Sequence, residues 1–274
     1  SGMDQLCEYM DWSEARAGFL CRARRQMGFE RELSDQPLLI NRPSVHGWPI
    51  YFFKRCFMLR IYSVPVAVYC AKLRIMLRHK SIAFGQLQPP GGYGSDEYRE
   101  IVPSGNLPAM IHDGFMLSDS EAIAEYLDEA FPDIPMLPDT VKLRAKAREL
   151  SRSHDTRLEP AVRAIYPQVF FATRDANIVK AGGELITKQL SSLGLLLSMN
   201  PLDTDQLWLC DCGFAVTLAW ITAFENVLGL SVEWPQNVRD YATRLKSFQA
   251  VADELVDYRP AMDAYLEKAK PTQA

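Results

Sequence analysis

From Met58 onward the apolar positions switch between two rhythms, and each switch marks an element. Met58–Tyr62 is a short apolar run that predicts a strand, while Val68, Leu73, Ile75, Met76 and Leu77 predict a helix over Ala67–Arg78. Ile82–Leu87 predicts a second strand, and Pro89-Pro90-Gly91-Gly92-Tyr93-Gly94 a loop. Ser95 is placed to cap a short helix running to Val102. A strand opening at Pro108, a tight His112-Asp113-Gly114 turn, a strand from Phe115 and a helix with Ser118, Asp119 and Ser120 in its first turn follow. The order is strand, helix, strand, helix, strand, strand, helix. A proline-rich linker spans Phe131 to Pro138. Beyond it the pattern is helical nearly everywhere, over Thr140–Tyr166, Ala176–Ser198, Asp211–Leu228, Gln236–Lys246 and Gln249–Lys268. Pro160 is expected to kink the first of these, because it removes an internal hydrogen bond. The chain thus divides into an extension over 1–57, an α/β domain over 58–131 and an all-helical domain over 139–274.

Composition narrows the functional classes. The 274 residues are 48% hydrophobic and 23% charged, as in ordinary globular proteins with real cores. A net charge of -4 and a pI near 5.7 supply no basic field for nucleic acid. The six cysteines follow no disulfide-scaffold rhythm, which suits a reducing cytoplasm. Cys210-Asp211-Cys212 has no His or further Cys at a spacing that completes a metal site, so it reads as core packing and no metal is expected. Leu207–Phe224 is apolar but interrupted by Asp211, and its uncharged part falls short of the roughly 20 residues a bilayer needs. It reads as a central buried helix, and no membrane partner is expected. Ser1-Gly2 ahead of Met3 reads as a protease-cleavage remnant. Residues 3–57 are rich in Arg, but acids such as Asp4, Glu8, Asp11 and Glu14 argue against a mitochondrial presequence. Two readings stay open for this segment: a genuine extension, or translation upstream of a start at Met58.

The chemistry concentrates between Asn106 and Ser120. Proline inside a sheet costs a ladder bond unless it stands at a strand's start, where Pro108 stands. An X-Pro bond there can adopt the cis form and turn the amide and carbonyl of Leu107 outward, toward an extended peptide-like ligand. Ser118-Asp119-Ser120 offers free amides and the positive end of a helix dipole to a carboxylate. Asp119 is suited to the ammonium of the same amino-acid head group. The combination reads as a glutathione site formed by Asn106, Leu107, Pro108, Asp119 and Ser120.

From about Met58 to the C-terminus, this pattern resembles the glutathione S-transferase superfamily. The resemblance implies a thioredoxin-like α/β N-terminal domain that binds the tripeptide, followed by an all-α C-terminal domain. It further implies a cytoplasmic homodimer using glutathione as substrate, with the thiolate transferred to a small electrophile. The opening 57 residues carry no such resemblance.

Within that resemblance the activating group is displaced. Glutathione's thiol, with a free pKa near 8.5, has to become a thiolate, and the family supplies a hydroxyl or Cys where the first strand meets the first helix. Aligning Leu73–Leu77 without a gap puts that position on Ala67. Ser63, Tyr69 and Cys70 are the substitutes in reach; the alternative is that Ser63 caps the turn and Tyr69 and Cys70 pack on the sheet. A working Cys would favour thiol exchange over conjugation. The second substrate of the family lies against the first long helix of the C-terminal domain, where His154, Arg157 and Leu158 share one predicted face, and Arg163 and Tyr166 another. Cations there suit a carboxylate-bearing substrate. The segment loosely resembles maleylacetoacetate isomerases, but their Ser-Ser-Cys-Ser motif is replaced by Ala67, Val68, Tyr69 and Cys70. A glutathione-dependent isomerase and a non-catalytic glutathione-binding protein are therefore the competing readings. In place of the family's usual capping Ser or Thr, Trp208 stands three residues ahead of Asp211, so that cap is expected to be incomplete.

Overall fold

The computed structural model describes residues 59–199 and 202–270, so the 1–57 extension lies outside the described residues. Four short strands form one sheet, β1 (Arg60–Tyr62), β2 (Gly85–Leu87), β3 (Ala109–His112) and β4 (Phe115–Ser118), in the order β2-β1-β3-β4. β1 and β2 are parallel, which requires a crossover, and α1 (Val68–His79) supplies it. β3 pairs antiparallel with β1 and with β4. The β3–β4 hairpin turns on Asp113 and Gly114 at φ of 50° and 84°, the left-handed pair that a two-residue hairpin loop favours. Pro108 directly precedes β3, where its missing N–H costs no ladder bond, and the Leu107–Pro108 peptide is cis. The strand expected over Ile82–Leu87 is confined to its last three residues, because β1 offers only three partners.

α1 and α3 (Ser120–Ala130) pack on one face of the sheet, burying Ile61, Leu73, Ile75, Met110, Ile123 and Leu127. A smaller cluster of Tyr62, Tyr98, Val102 and Ala109 lies beneath the short α2 (Asp96–Arg99), whose N-cap is the expected Ser95, accepting from the Tyr98 amide at 3.1 Å. Ser118 differs from expectation. It pairs with Ala109 as the last residue of β4, and the helix begins at Ser120 with Asp119 as its N-cap.

The remainder is helical: α4 (Val141–Ser153), α5 (Glu159–Arg163), α6 (Ala176–Ser198), α7 (Asp211–Leu228), α8 (Gln236–Ser247) and α9 (Gln249–Leu266). α7 is the buried centre, and α1 packs against it, so one apolar core runs from the sheet into the helices. The break attributed to Pro160 takes the form of a wide turn over His154–Leu158, in which the Glu159 amide reaches the His154 carbonyl five residues back. Pro160 has no N–H, and its ring crowds the carbonyl four residues earlier, so the regular ladder opens just upstream of it. Gly213 lets α7 approach this turn: a Cβ there would lie 2.6 Å from His154 Cε1.

The start of α7 is more fully satisfied than the sequence implies. The buried Asp211 carboxylate accepts from the Trp208 amide at 3.0 Å, from the Tyr241 hydroxyl at 2.6 Å and from Arg244 at 3.1 Å. Tyr241 and Arg244, both from α8, supply partners that no sequence pattern around Asp211 announces. Burial pushes the Asp211 carboxyl up, and the Arg244 charge and these hydrogen bonds oppose it.

Candidate functional site

The N-terminus of α1, the loop before β3, the N-terminus of α3 and the α4–α5 segment border one cavity of about 740 Å³. Asn106, Leu107, Pro108, Asp119 and Ser120 all line it. Tyr98 donates to the Asn106 carbonyl at 3.0 Å and holds the loop. No backbone hydrogen bond engages the Leu107 amide or carbonyl among the described residues. Asp119 has φ 82°, a conformation that costs a non-glycine residue about 1–3 kcal/mol and clusters at functional sites. Its Oδ1 accepts from the Glu121 and Ala122 amides at 3.0 and 3.1 Å, which leaves the Ser120 amide free at the positive end of the helix.

At the start of α1 the cavity is bordered by Val66, Ala67, Val68 and Tyr69. Ala67 is the N-cap of α1 and contributes no side-chain cap, so the Val68 and Tyr69 amides stand without an acceptor among the described residues. The Ala67 amide itself is committed to the Val64 carbonyl at 3.2 Å. The structure does not bring Ser63 or Cys70 to the cavity wall. Ser63 is 2% exposed, and its Oγ accepts from Arg74 at 2.7 Å, because Arg74 is buried beside Glu254 and needs every acceptor in reach. The Cys70 thiol is fully buried against the Tyr62 carbonyl, and burial pushes its pKa up. Tyr69 does line the cavity, but its hydroxyl donates to the Asp155 carbonyl and to Glu159 Oε2, at 3.2 and 3.1 Å. Burial and the carboxylates of Glu159 and Asp155 drive that phenol far above its usual range, so it remains a neutral donor already in use.

The opposite wall is sorted differently from the helical spacing. His154 is 1% exposed and belongs to the core, its Nδ1 at 2.7 Å from Asp155 and its Nε2 at 2.8 Å from Thr217. Arg157 is exposed and does not line the cavity. Arg163 and Tyr166 do line it. Arg163 pairs with Glu159 at 2.6 Å and lies over the Tyr69 ring, 5.4 Å from its centroid. The Tyr166 ring packs on Trp220 at 4.7 Å, and its buried hydroxyl has no hydrogen-bond partner among the described residues. Arg152 at the end of α4, Asp155 in the wide turn and Glu159 just after it also line the cavity, and the spacing passed them over.

Below the cavity, Lys72 is buried between Glu121 at 2.5 Å and Asp155 at 3.0 Å, and Ser151 donates to Glu121 at 2.8 Å. Burial alone would raise the Asp155 carboxyl; the His154 hydrogen bond and the Lys72 charge outweigh it and hold the group at about 2. Among the described residues no group of three or more His, Cys, Asp or Glu is placed to hold a metal ion. No helix among them is long and apolar enough to cross a membrane.

A four-stranded thioredoxin-like sheet followed by a helical domain is the architecture of solved glutathione transferases. Residues 61–135 match the family model of the glutathione S-transferase N-terminal domain. A rice glutathione S-transferase solved in complex with glutathione superposes with a TM-score of 0.66 at 22% identity, over 80% of this chain and 99% of that one. A stringent starvation protein A homolog of Pasteurella multocida is 32% identical over 93 residues, 34% of this chain and 44% of that protein. A probable maleylacetoacetate isomerase 2 of Drosophila melanogaster is 37% identical over 84 residues, 29% of this chain and 37% of that protein. The matched stretch is thus less than half the length of either relative. Residues 61–135 are thus similar to the glutathione S-transferase N-terminal domain, and the described chain shares the fold of solved glutathione transferases.

Proposed function

We propose that the chain binds glutathione in this cavity and transfers its thiolate to a small electrophile. The observation that carries the reading is the convergence on one cavity of the unpaired Leu107 peptide, the free Ser120 amide beside Asp119, and the uncapped start of α1. The tripeptide's backbone pairs with Leu107, and its γ-glutamyl carboxylate and ammonium meet the Ser120 amide and Asp119. The sulfur lies at the Val68 and Tyr69 amides. These amides and the helix dipole favour the thiolate in place of the family's side-chain hydroxyl. The S–H proton passes to water, the thiolate forms a C–S bond, and the displaced group leaves with its electron pair. Glutathione-dependent isomerisation begins with the same addition of sulfur, and the isomerase-named relative supports it as a use of the same site. A homodimer is part of the reading, in keeping with the superfamily.

A second reading, non-catalytic glutathione binding, draws on a specific observation. Ala67 replaces the hydroxyl, while Ser63 and Cys70 are turned into the core. Calorimetric titration with glutathione, run beside conjugation of 1-chloro-2,4-dinitrobenzene and a panel of enones, separates the two. Binding with turnover supports transfer, binding without turnover of any electrophile supports the second reading, and no binding removes both.

A further inference from the structure

Two guanidinium groups border the cavity, and they are not equivalent. Arg163 is held by Glu159 at 2.6 Å. Arg152 makes no ion pair and no side-chain hydrogen bond among the described residues, although it borders the same space. Its place follows from the rungs between α3 and α4. Arg148 grips Glu125 through two parallel bonds of 2.7 and 3.1 Å, and Ser151 donates to Glu121 at 2.8 Å. As α4 advances from Arg148 to Ser151, its partners on α3 step back from Glu125 to Glu121, toward that helix's N-terminus. Arg152, one turn beyond Arg148 on the same face, continues the series to the end where Asp119 and Ser120 line the cavity.

The neighbouring carboxylates do not neutralise it. Glu121 and Asp155 share Lys72, Glu159 holds Arg163, and Asp119 Oδ1 is spent on the α3 cap. A guanidinium without an anion among the described residues therefore borders the same cavity as a free helix amide, and both favour negative charge. We propose that Arg152 is a glutathione-binding residue that grips the γ-glutamyl carboxylate from the helical domain, opposite the Ser120 amide. The proposal rests on the glutathione reading and adds to it a clamp contributed across the domain boundary. With the ligand bound, the carboxylate links α3 to α4 and extends their ladder by one rung. Arginine's planar fork matches a carboxylate through two bonds, which lysine does not reproduce.

The test uses the full chain, glutathione, and the analogue whose γ-glutamyl unit is replaced by 4-aminobutyryl, which keeps the amine and lacks the carboxylate. Isothermal titration of wild type, Arg152→Gln and Arg152→Lys with both ligands gives the coupling between side chain and carboxylate. Arg152→Gln should weaken glutathione about threefold to fivefold, a figure set by an exposed charged contact, and change the analogue's affinity less than twofold. Arg152→Lys should recover part of the loss, and added salt should shrink the difference. Equal weakening of both ligands, or none of either, overturns the clamp while leaving the glutathione reading in place. A rise confined to the KM of an anionic electrophile also overturns it and assigns Arg152 to the second substrate. A wild-type chain that binds no glutathione overturns the reading and the clamp together.

Discussion

Asp155→Asn is the sharpest probe of the polar layer beneath the cavity. The side chain is 9% exposed and faces Lys72 from α1 and His154 from its own turn, with Glu121 of α3 sharing the same lysine. In the fold its carboxyl falls from an ordinary 3.8 to about 2. At 1.36 kcal/mol per unit, this is a stabilisation of about 2.5 kcal/mol whenever the group is ionised in both states. The sign is fixed by which state takes the proton first. The unfolded chain protonates near the ordinary value and the folded one only near 2, so the contribution is complete above about pH 5. It falls to about half near pH 3 and is nearly gone at pH 2. Asparagine cannot titrate, so the stability gap between wild type and Asp155→Asn should follow this curve, added to whatever constant the altered hydrogen bonding costs. Urea unfolding followed by circular dichroism at pH 7, 5, 4, 3 and 2.5 reads it directly. A gap of the same size at pH 7 and pH 3 would refute the argument, because it would mean that no buried carboxylate is being held ionised by Lys72 and His154.

Asp119→Ala should weaken glutathione about tenfold to a hundredfold by calorimetry; unchanged affinity in both Asp119→Ala and Ser120→Ala would remove the anion site from the mechanism. Asp211→Ala should cost about 3–5 kcal/mol in equilibrium unfolding, since it strips Tyr241 and Arg244 of a buried partner, and a loss below about 1 kcal/mol would count against the cap described here. Ser63→Ala and Cys70→Ala should leave the pH–rate profile of conjugation in place, Ser63→Ala losing stability instead through Arg74; a raised thiol pKa in Ser63→Ala would return that hydroxyl to the site. Light scattering at micromolar concentration should report a homodimer, and a monomer would overturn that part of the reading.

The half of the cavity proposed to take glutathione was legible in the sequence because its signals are local. A proline at a strand's start and an Asp-Ser pair at a helix start each do their work within a few residues, and Leu107, Pro108, Asp119 and Ser120 do line one cavity. The end at the start of α1 was less legible. Ser63 and Cys70 lie at the right distance along the chain, but Arg74 and the Tyr62 carbonyl draw them inward, and Arg74 is there because Glu254, 180 residues later, is buried beside it. The second wall failed for a different reason. A straight helix over Thr140–Tyr166 places His154 and Arg157 together, whereas His154 continues the buried face of α4 to Thr217 and the wide turn leaves Arg157 in solvent. Pro160 was recognised as a disturbance, yet composition does not say whether a proline bends a helix or widens the turn ahead of it.

That wide turn sets the angular phase of everything after it. One residue more or less in an α-helix rotates the following side chains by about 100°. Loss of Thr156, which is exposed, would leave Lys72, Glu121 and the α3 corner where they are, while swinging Glu159, Arg163 and Tyr166 off the Tyr69 wall. The half of the cavity bordered by Leu107, Asp119 and Ser120 and the half bordered by Glu159, Arg163 and Tyr166 are thus separable by a single codon. Evolution can re-aim the second wall in one insertion or deletion without touching Leu107, Asp119 or Ser120, and point substitutions would need several steps to do the same.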